Sequence, residues 1–276
     1  MNTGDTTFIL FCSTLVFFMT PGLAFFYGGL VRRKNVLNTM MSSLFIMGLS
    51  SALWILVGYS LSFSGDHGHI IGDFTNAFLR GIGMNDLSQY SETIPALVFV
   101  GFQMMFAIIT PALITGSVAG RMRFKALFIF ILLWLFVVYY PLAHMVWGKG
   151  GFLGEVLGSV DFAGGNVVHI SSGVSGLVLS LLLGSRRGYK KQAYATHNVP
   201  FIILGATILW FGWFGFNAGS ALAANGLAAH AFMTTGTSAA FALLSWMAVD
   251  VIVTGKPTVV GASTGAVLGL VAITPG

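Results

Sequence analysis

The sequence predicts an all-α, polytopic membrane helix bundle, and three observations carry that prediction. Hydrophobic residues make up 56% of the 276 residues and charged residues only 8%, against roughly 25% charged in soluble domains. Apolar stretches near the ~20 residues needed to cross the hydrocarbon core of a bilayer recur along the whole chain. The basic residues gather at alternate breaks between those stretches, a topology signal. A soluble fold cannot hide this much apolar surface, since domains leave much of theirs exposed to water. The net charge of +5 does not indicate nucleic acid, because the basic residues form short clusters without interleaved exposed aromatics.

Eight stretches qualify as spans within a single transmembrane domain, 1–276: near 7–31, 38–63, 94–119, 125–147, 163–184, 199–222, 227–252 and 258–276. The first opens after MNTGDTT, which lacks the basic start of a cleaved signal peptide, and holds Cys12, the only cysteine. A lone cysteine within an apolar run has a packing role and no internal disulfide partner. Arg32, Arg33 and Lys34 close the first span. Arg121, Arg123 and Lys125 follow the third, Arg186, Arg187, Lys190 and Lys191 the fifth, and Lys256 the seventh. Only Arg80 and Lys149 fall on the other side, so the positive-inside rule places the first group in the cytoplasm and the N-terminus outside. The 36 glycines are spread through the spans, which suits helices packed backbone to backbone.

The longest connection, 64–93, holds Asp66, His67, His69, Asp73, Arg80 and Asp86. Two histidines at i, i+2 invite a metal reading, but no further His or Cys lies near in sequence, and a solvated loop is the better account. An internal echo links Ala107-Ile108-Ile109-Thr110-Pro111 in the third span to Val271-Ala272-Ile273-Thr274-Pro275 in the eighth. Spans five apart in order run in opposite directions, as an inverted repeat of five helices requires.

Ionisable groups inside a membrane are functional candidates, since each is costly unless partnered. His169 lies within the fifth span and Asp161 at its entry, eight residues or about 12 Å shallower along a continuous helix. An Asp there serves as a cap for free amides; beside a pore it also contributes negative potential. His144 lies near the end of the fourth span, His230 near the start of the seventh, Asp250 near the end of the seventh and His197 in a loop. The aromatics Phe106 and Trp147, with Phe216 and Ser220 four apart on one helix face, form a second set. A desolvated cation over an aromatic face gains about 2 kcal/mol or more, although isolated membrane aromatics usually form interfacial belts.

Four segments together resemble the ammonium transporter (Amt/Mep/Rh) family. They are Thr20-Pro21-Gly22-Leu23-Ala24-Phe25-Phe26-Tyr27-Gly28-Gly29-Leu30-Val31-Arg32, Ala143-His144-Met145-Val146-Trp147-Gly148, Asp161-Phe162-Ala163-Gly164-Gly165-Asn166-Val167-Val168-His169 and Trp213-Phe214-Gly215-Phe216-Asn217-Ala218-Gly219-Ser220. The resemblance runs from about residue 7 to the last residue. It implies a homotrimer with one pore per protomer and an ammonium transporter fold of eleven spans, a 5+5 inverted repeat plus one helix, of which this chain carries about eight. It implies that Phe106, Trp147 and Ser220 recruit ammonium, that Phe106 and Phe216 gate the pore, that Asp161 shapes the outer site, and that His169 is the first of two pore histidines. Trp213 and Thr274 are further pore-lining candidates. The second pore histidine of the family belongs to a later helix, and the chain stops at Gly276, which reads as a fragment.

The expected function is therefore transport of ammonium or ammonia across the cytoplasmic membrane, without enzymatic chemistry, cofactor, metal or nucleic-acid partner. The resemblance also implies a PII-type regulatory protein on the cytoplasmic face. Two other readings compete. One is a sensor of the same fold coupled to a signalling domain. The other is a haem-binding membrane oxidoreductase using His144 and His169, for which axial ligation would be needed.

Overall fold

The structure, a computed structural model, describes residues 1–186, 188–191 and 194–276; Arg187, one of the basic residues used for orientation, lies outside the described residues. Helix α1 (Thr3–Leu30) begins at Asn2, whose side chain accepts from the Asp5 amide at 3.2 Å. The helix continues through Pro21. The second span runs from Arg33 to Phe63, as α2 (Val36–Leu53), a π-helical turn and α3 (Tyr59–Phe63). Helix α4 (Ala96–Val118) is the most enclosed of the long helices, with most of its residues buried. The fourth span is likewise interrupted by a π turn, between α5 (Phe124–Trp134) and α6 (Tyr140–Trp147). A π turn over Gly165–Ile170 leads into α7 (Ser171–Leu183). Then follow α8 (Val199–Gly219), α9 (Gly226–Thr254) and α10 (Val259–Ile273).

Seven of these helical spans are long and apolar enough to cross a membrane, and α10 is a shorter apolar helix. The eight stretches read from sequence therefore all exist, with ends displaced by a few residues. The notable displacement is at the fifth. There the helix begins at Gly165, because Asp161 to Gly164 form an irregular turn ending in left-handed Gly164 (φ 118°). His169 thus lies four residues into the helical segment, not 12 Å below Asp161 along a continuous helix.

The tightest helix pair is α1 with α8. A Cβ placed on Gly205 would meet the Gly22 carbonyl oxygen at 2.6 Å and Phe26 Cα at 2.6 Å. Only a glycine lets these two backbones touch, which is the small-residue logic of membrane helix packing.

The connections tie the helix ends into two opposite caps. At one end, the Asn2 amide donates to Thr93 O (2.7 Å) and the Ala224 amide to Asp5 Oδ1 (2.8 Å). A two-stranded hairpin, β1 (Leu87–Ser88) and β2 (Ser91–Pro95), covers this end. At the other end, the His197 amide donates to Gly29 O (2.9 Å) and Arg186 Nη1 to Ala119 O (3.0 Å). These caps are called below the vestibule end and the loop end.

The 64–93 connection is ordered by its own polar groups. His144, fully buried at the top of α6, places Nδ1 3.2 Å from Ser62 O and Nε2 3.1 Å from Asp66 Oδ1. His69 Nδ1 contacts Gly150 O at 2.5 Å and Asp66 at 3.4 Å. The His67 amide donates to Ile71 O at 2.8 Å, so the backbone of both histidines is tied into this loop. Burial pushes the Asp66 carboxyl up, but hydrogen bonds from His144 and the His69 amide outweigh it and leave it below the usual carboxylate value.

Candidate functional site

Asp161 organises the vestibule. Its carboxylate accepts from the amides of Gly164 (2.8 Å), Gly165 (2.6 Å), Asn166 (2.8 Å) and Val167 (3.1 Å). The opening amides of the fifth span, orphaned in any helix, are met by one buried carboxylate. Positive φ at Gly164 lets the chain double back toward that carboxylate, and a side chain there would strike Val168 Cγ2 at 2.7 Å. The backbone oxygen of Asp161 accepts from Trp147 Nε1 at 2.9 Å. One residue therefore starts the helix and holds the tryptophan ring in place.

Trp147, Phe106 and Ser220 come from α6, α4 and the C-terminal end of α8, and line one cavity of about 160 Å³. The Phe106 and Trp147 rings meet edge to face at 5.9 Å. Ser220 Oγ donates to Phe216 O at 2.9 Å, which leaves the hydroxyl lone pairs available as acceptors. The other lining residues escaped the sequence reading, Tyr90 and Gln103 among them. Tyr90 stacks on Phe99 with centroids 4.8 Å apart and planes 11° apart. Gln103 keeps a buried Oε1 with no hydrogen-bond partner among the described residues. Its position three residues before Phe106, on the same face of α4, was the signal available for it. Tyr90 carried no such signal, since only the hairpin fold brings it over the cavity.

Phe216 does not line this cavity. It stands behind Phe106, with ring centroids 4.6 Å apart, and both rings are fully buried. Beyond it, the His169 ring stacks on Phe216 (5.9 Å, 19°) and on Trp213 (5.3 Å, 21°). Trp213 Nε1 donates to Thr274 Oγ1 at 2.8 Å, so Thr274 meets the ring that stacks on His169 and not the histidine itself. Thr110 and Thr274, the echoed threonines, each donate back to the carbonyl four residues earlier, at 2.6 and 2.8 Å. His169 Nε2 is buried without a hydrogen-bond partner among the described residues. The histidine also lines a second, open cavity of about 370 Å³, which includes Tyr27, Ser117, Ser172 and Ser180. In order, the structure places an aromatic cavity, two adjoining phenylalanines whose rings are tilted by 52°, a histidine and a cavity toward the loop end.

Such a line of apolar rings, broken only by a neutral-capable imidazole and a few hydroxyls, suits a small solute that sheds water. Residues 7–276 match the model of the Ammonium Transporter Family. The chain belongs to that family. It is 52% identical over 275 residues to an ammonium transporter of Bacillus subtilis, spanning 100% of this chain and 67% of that protein. The crystal structure of Mep2 from Candida albicans superposes with a TM-score of 0.91 at 37% identity, covering 100% of this chain and 61% of that one. A solved sensor Amt protein gives a TM-score of 0.89 at 28% identity, covering 99% of this chain and 68% of that one. The chain thus spans about two thirds, or less, of the length of such relatives. Membership in a transport family leaves the oxidoreductase reading without support. The geometry also opposes it, since both ring nitrogens of His144 are already engaged by Ser62 and Asp66.

Proposed function

We propose that this chain binds ammonium in the Phe106–Trp147–Ser220 cavity and passes ammonium or ammonia past Phe106, Phe216 and His169 across the cytoplasmic membrane. The reading is carried by the contiguity of those rings, with Phe106 shared between the cavity and the buried phenylalanine pair. The aromatic faces would hold the cation, the Ser220 lone pairs and Gln103 Oε1 would accept its N–H groups, and Asp161 would keep Trp147 oriented. The buried phenylalanine pair would strip water. The apolar path beyond favours neutral ammonia, because a bare cation there is costly. Trp213 and Thr274 would fix the His169 ring. The basic loop end would face the cytoplasm and the N-terminus the outside. A homotrimer and a PII-type partner on the cytoplasmic face are what the family resemblance supports.

The test is titration of the purified protein with ammonium chloride against sodium chloride. Trp147→Leu removes the best cation–π ring, and about 2 kcal/mol lost corresponds to roughly 30-fold weaker binding. Equal affinity of wild type and variant would sink the assignment. The likeness to a sensor Amt protein keeps one rival reading, detection without flux. A sensor would show the same titration but no uptake of ammonium into proteoliposomes.

A further inference from the structure

A polar cavity lies at the loop end, far from the aromatic site. It measures about 510 Å³ and is walled by three separate connections. Arg32, Lys34 and Asn35 come from the α1–α2 loop, Arg121 from the α4–α5 loop, and Arg186 and Tyr194 from the α7–α8 loop. Among the described residues four cationic side chains thus share one concavity, and no carboxylate lines it. Of the eight acidic residues, seven lie at the vestibule end. The eighth, Asp250, is bonded to the Thr258 hydroxyl at 2.7 Å. Among the described residues, no Arg or Lys forms a salt bridge.

The positive-inside rule explains why basic residues lie at this end. It does not explain why the fold draws them together around a cavity. Arg32 and Arg186 both pack on the Tyr194 ring, at 4.6 and 4.9 Å from its centroid. Two like charges on a single ring repel each other unless an anion compensates. Arg186 is further fixed by Ala119 O (3.0 Å) and the Tyr194 hydroxyl (2.7 Å). Arg121 reaches Gly184 O (2.7 Å), Ser180 Oγ (3.0 Å) and Ser117 O, and among the described residues its buried Nε–H finds no acceptor. Arg121 and Arg186 are therefore pre-positioned by the protein. Arg32 and Lys34 keep their side-chain donors unengaged among the described residues.

We infer that this cavity is a binding site for a phosphate group, held by Arg32, Lys34 and Arg186 with Arg121 behind them. Guanidinium forks match phosphate oxygens in paired hydrogen bonds, and a lysine adds a point charge. Ser185 and Asn35, also at the wall, offer neutral donors. The phosphate could be free or the headgroup of an anionic lipid, because the cavity sits where a helix bundle meets the membrane surface and basic clusters attract anionic headgroups. This inference concerns a site separate from the aromatic cavity and does not depend on what is transported.

The experiment uses the purified full chain in neutral detergent, titrated with inorganic phosphate at constant ionic strength against chloride, with thermal unfolding as readout. A parallel arm places the protein in nanodiscs of mixed phosphatidylglycerol and phosphatidylcholine and counts retained lipids by native mass spectrometry. A saturable phosphate-dependent shift identifies free phosphate as ligand. Selective retention of phosphatidylglycerol without that shift identifies the headgroup. In either case Arg32→Gln and Lys34→Gln should each weaken binding about tenfold or more, as loss of a charge-assisted bond does. Among the described residues neither side chain makes a protein hydrogen bond, so both variants should fold. Arg33→Gln, whose exposed side chain does not line the cavity, should bind normally. Absence of both effects, or equal loss in Arg33→Gln, overturns the proposal.

Discussion

Replacing Asp161 by asparagine separates the two duties of that residue. The carboxylate meets four backbone amides at 2.6–3.1 Å. An asparagine offers one acceptor oxygen, and its NH₂ would face the remaining donors. At least two charge-assisted bonds are lost, each worth about 1.5–3 kcal/mol. Two amides of a buried turn then lack partners. Partial relaxation reduces the sum, so a loss of about 3 kcal/mol is expected, a large share of typical stabilities of about 5–15 kcal/mol. For a chain of this size that corresponds to roughly 6–12 °C in Tm. The Asp161 carbonyl, which holds Trp147 Nε1 at 2.9 Å, shifts with the turn, so ammonium binding should weaken as well. The assay is thermal unfolding in detergent, with tryptophan fluorescence as a reporter of Trp147. If Asp161→Asn unfolded within about 2 °C of wild type, the four-amide cap would not be a principal support of this turn, and the reasoning would fail.

Two further outcomes follow from contacts already described. Gly205→Ala places a methyl against the Gly22 carbonyl and Phe26 backbone, neither of which can rotate away. It should destabilise by at least the 1–3 kcal/mol usual for overpacking, read as a lowered Tm and partial loss of the α1–α8 contact by cysteine cross-linking. Asp66 is held below its ordinary value of 3.8 by hydrogen bonds that outweigh burial. A depressed carboxylate stabilises the fold above its unfolded pKa and loses that contribution as pH falls through the folded one. Protection of the 64–73 amides from hydrogen exchange should therefore hold above about pH 4 and decline below it. Asp66→Asn should abolish that acid-dependent decline.

The span pattern was legible because lipid imposes it. Each crossing needs a long apolar run, and each loop-end connection carries its cations, so eight stretches could be counted without any structure. The local order within the fifth span was not legible. Nothing in Asp161-Phe162-Ala163-Gly164-Gly165 marks Gly164, rather than Asp161, as the residue immediately before the helix. That assignment depends on a left-handed Gly164 and on the depth to which Asp161 is buried. The convergence of Phe106, Trp147 and Ser220 was available only through resemblance, since helix periodicity relates Phe216 to Ser220 but not α4 to α6. Tyr90 lay beyond either route. Its place over the cavity is set by Gln89 Nε2 and the Tyr90 hydroxyl donating to Phe63 O at 2.7 and 3.2 Å, tertiary bonds across some two dozen residues of irregular chain.

The division of charge between the two ends bears on how a cation reaches the site. Seven carboxylates occupy the vestibule end, where only Arg80 and Lys149 oppose them, and clefts bordered by one sign of charge concentrate ions of the other. Lys149 works against this locally. Its ammonium sits 5.8 Å from the centroid of the Tyr90 ring, and Tyr90 lines the cavity. At a separation of about 8 Å in high dielectric, two unit charges repel by roughly 0.5 kcal/mol. Lys149→Gln should therefore tighten ammonium binding about twofold at low ionic strength, and more if the cavity is partly dry. Because the repulsion acts through solvent, 1 M salt should erase the gain, the screening length there being about 3 Å. The backbone amide of residue 149, which donates to the Tyr90 hydroxyl at 3.2 Å, is unaffected by the change, so the ring keeps its position. Titrations of wild type and Lys149→Gln at both salt concentrations decide the matter. Weaker binding by the variant would mean that Lys149 helps to shape the cavity, and a gain that survived 1 M salt would mean that it acts by contact rather than by charge.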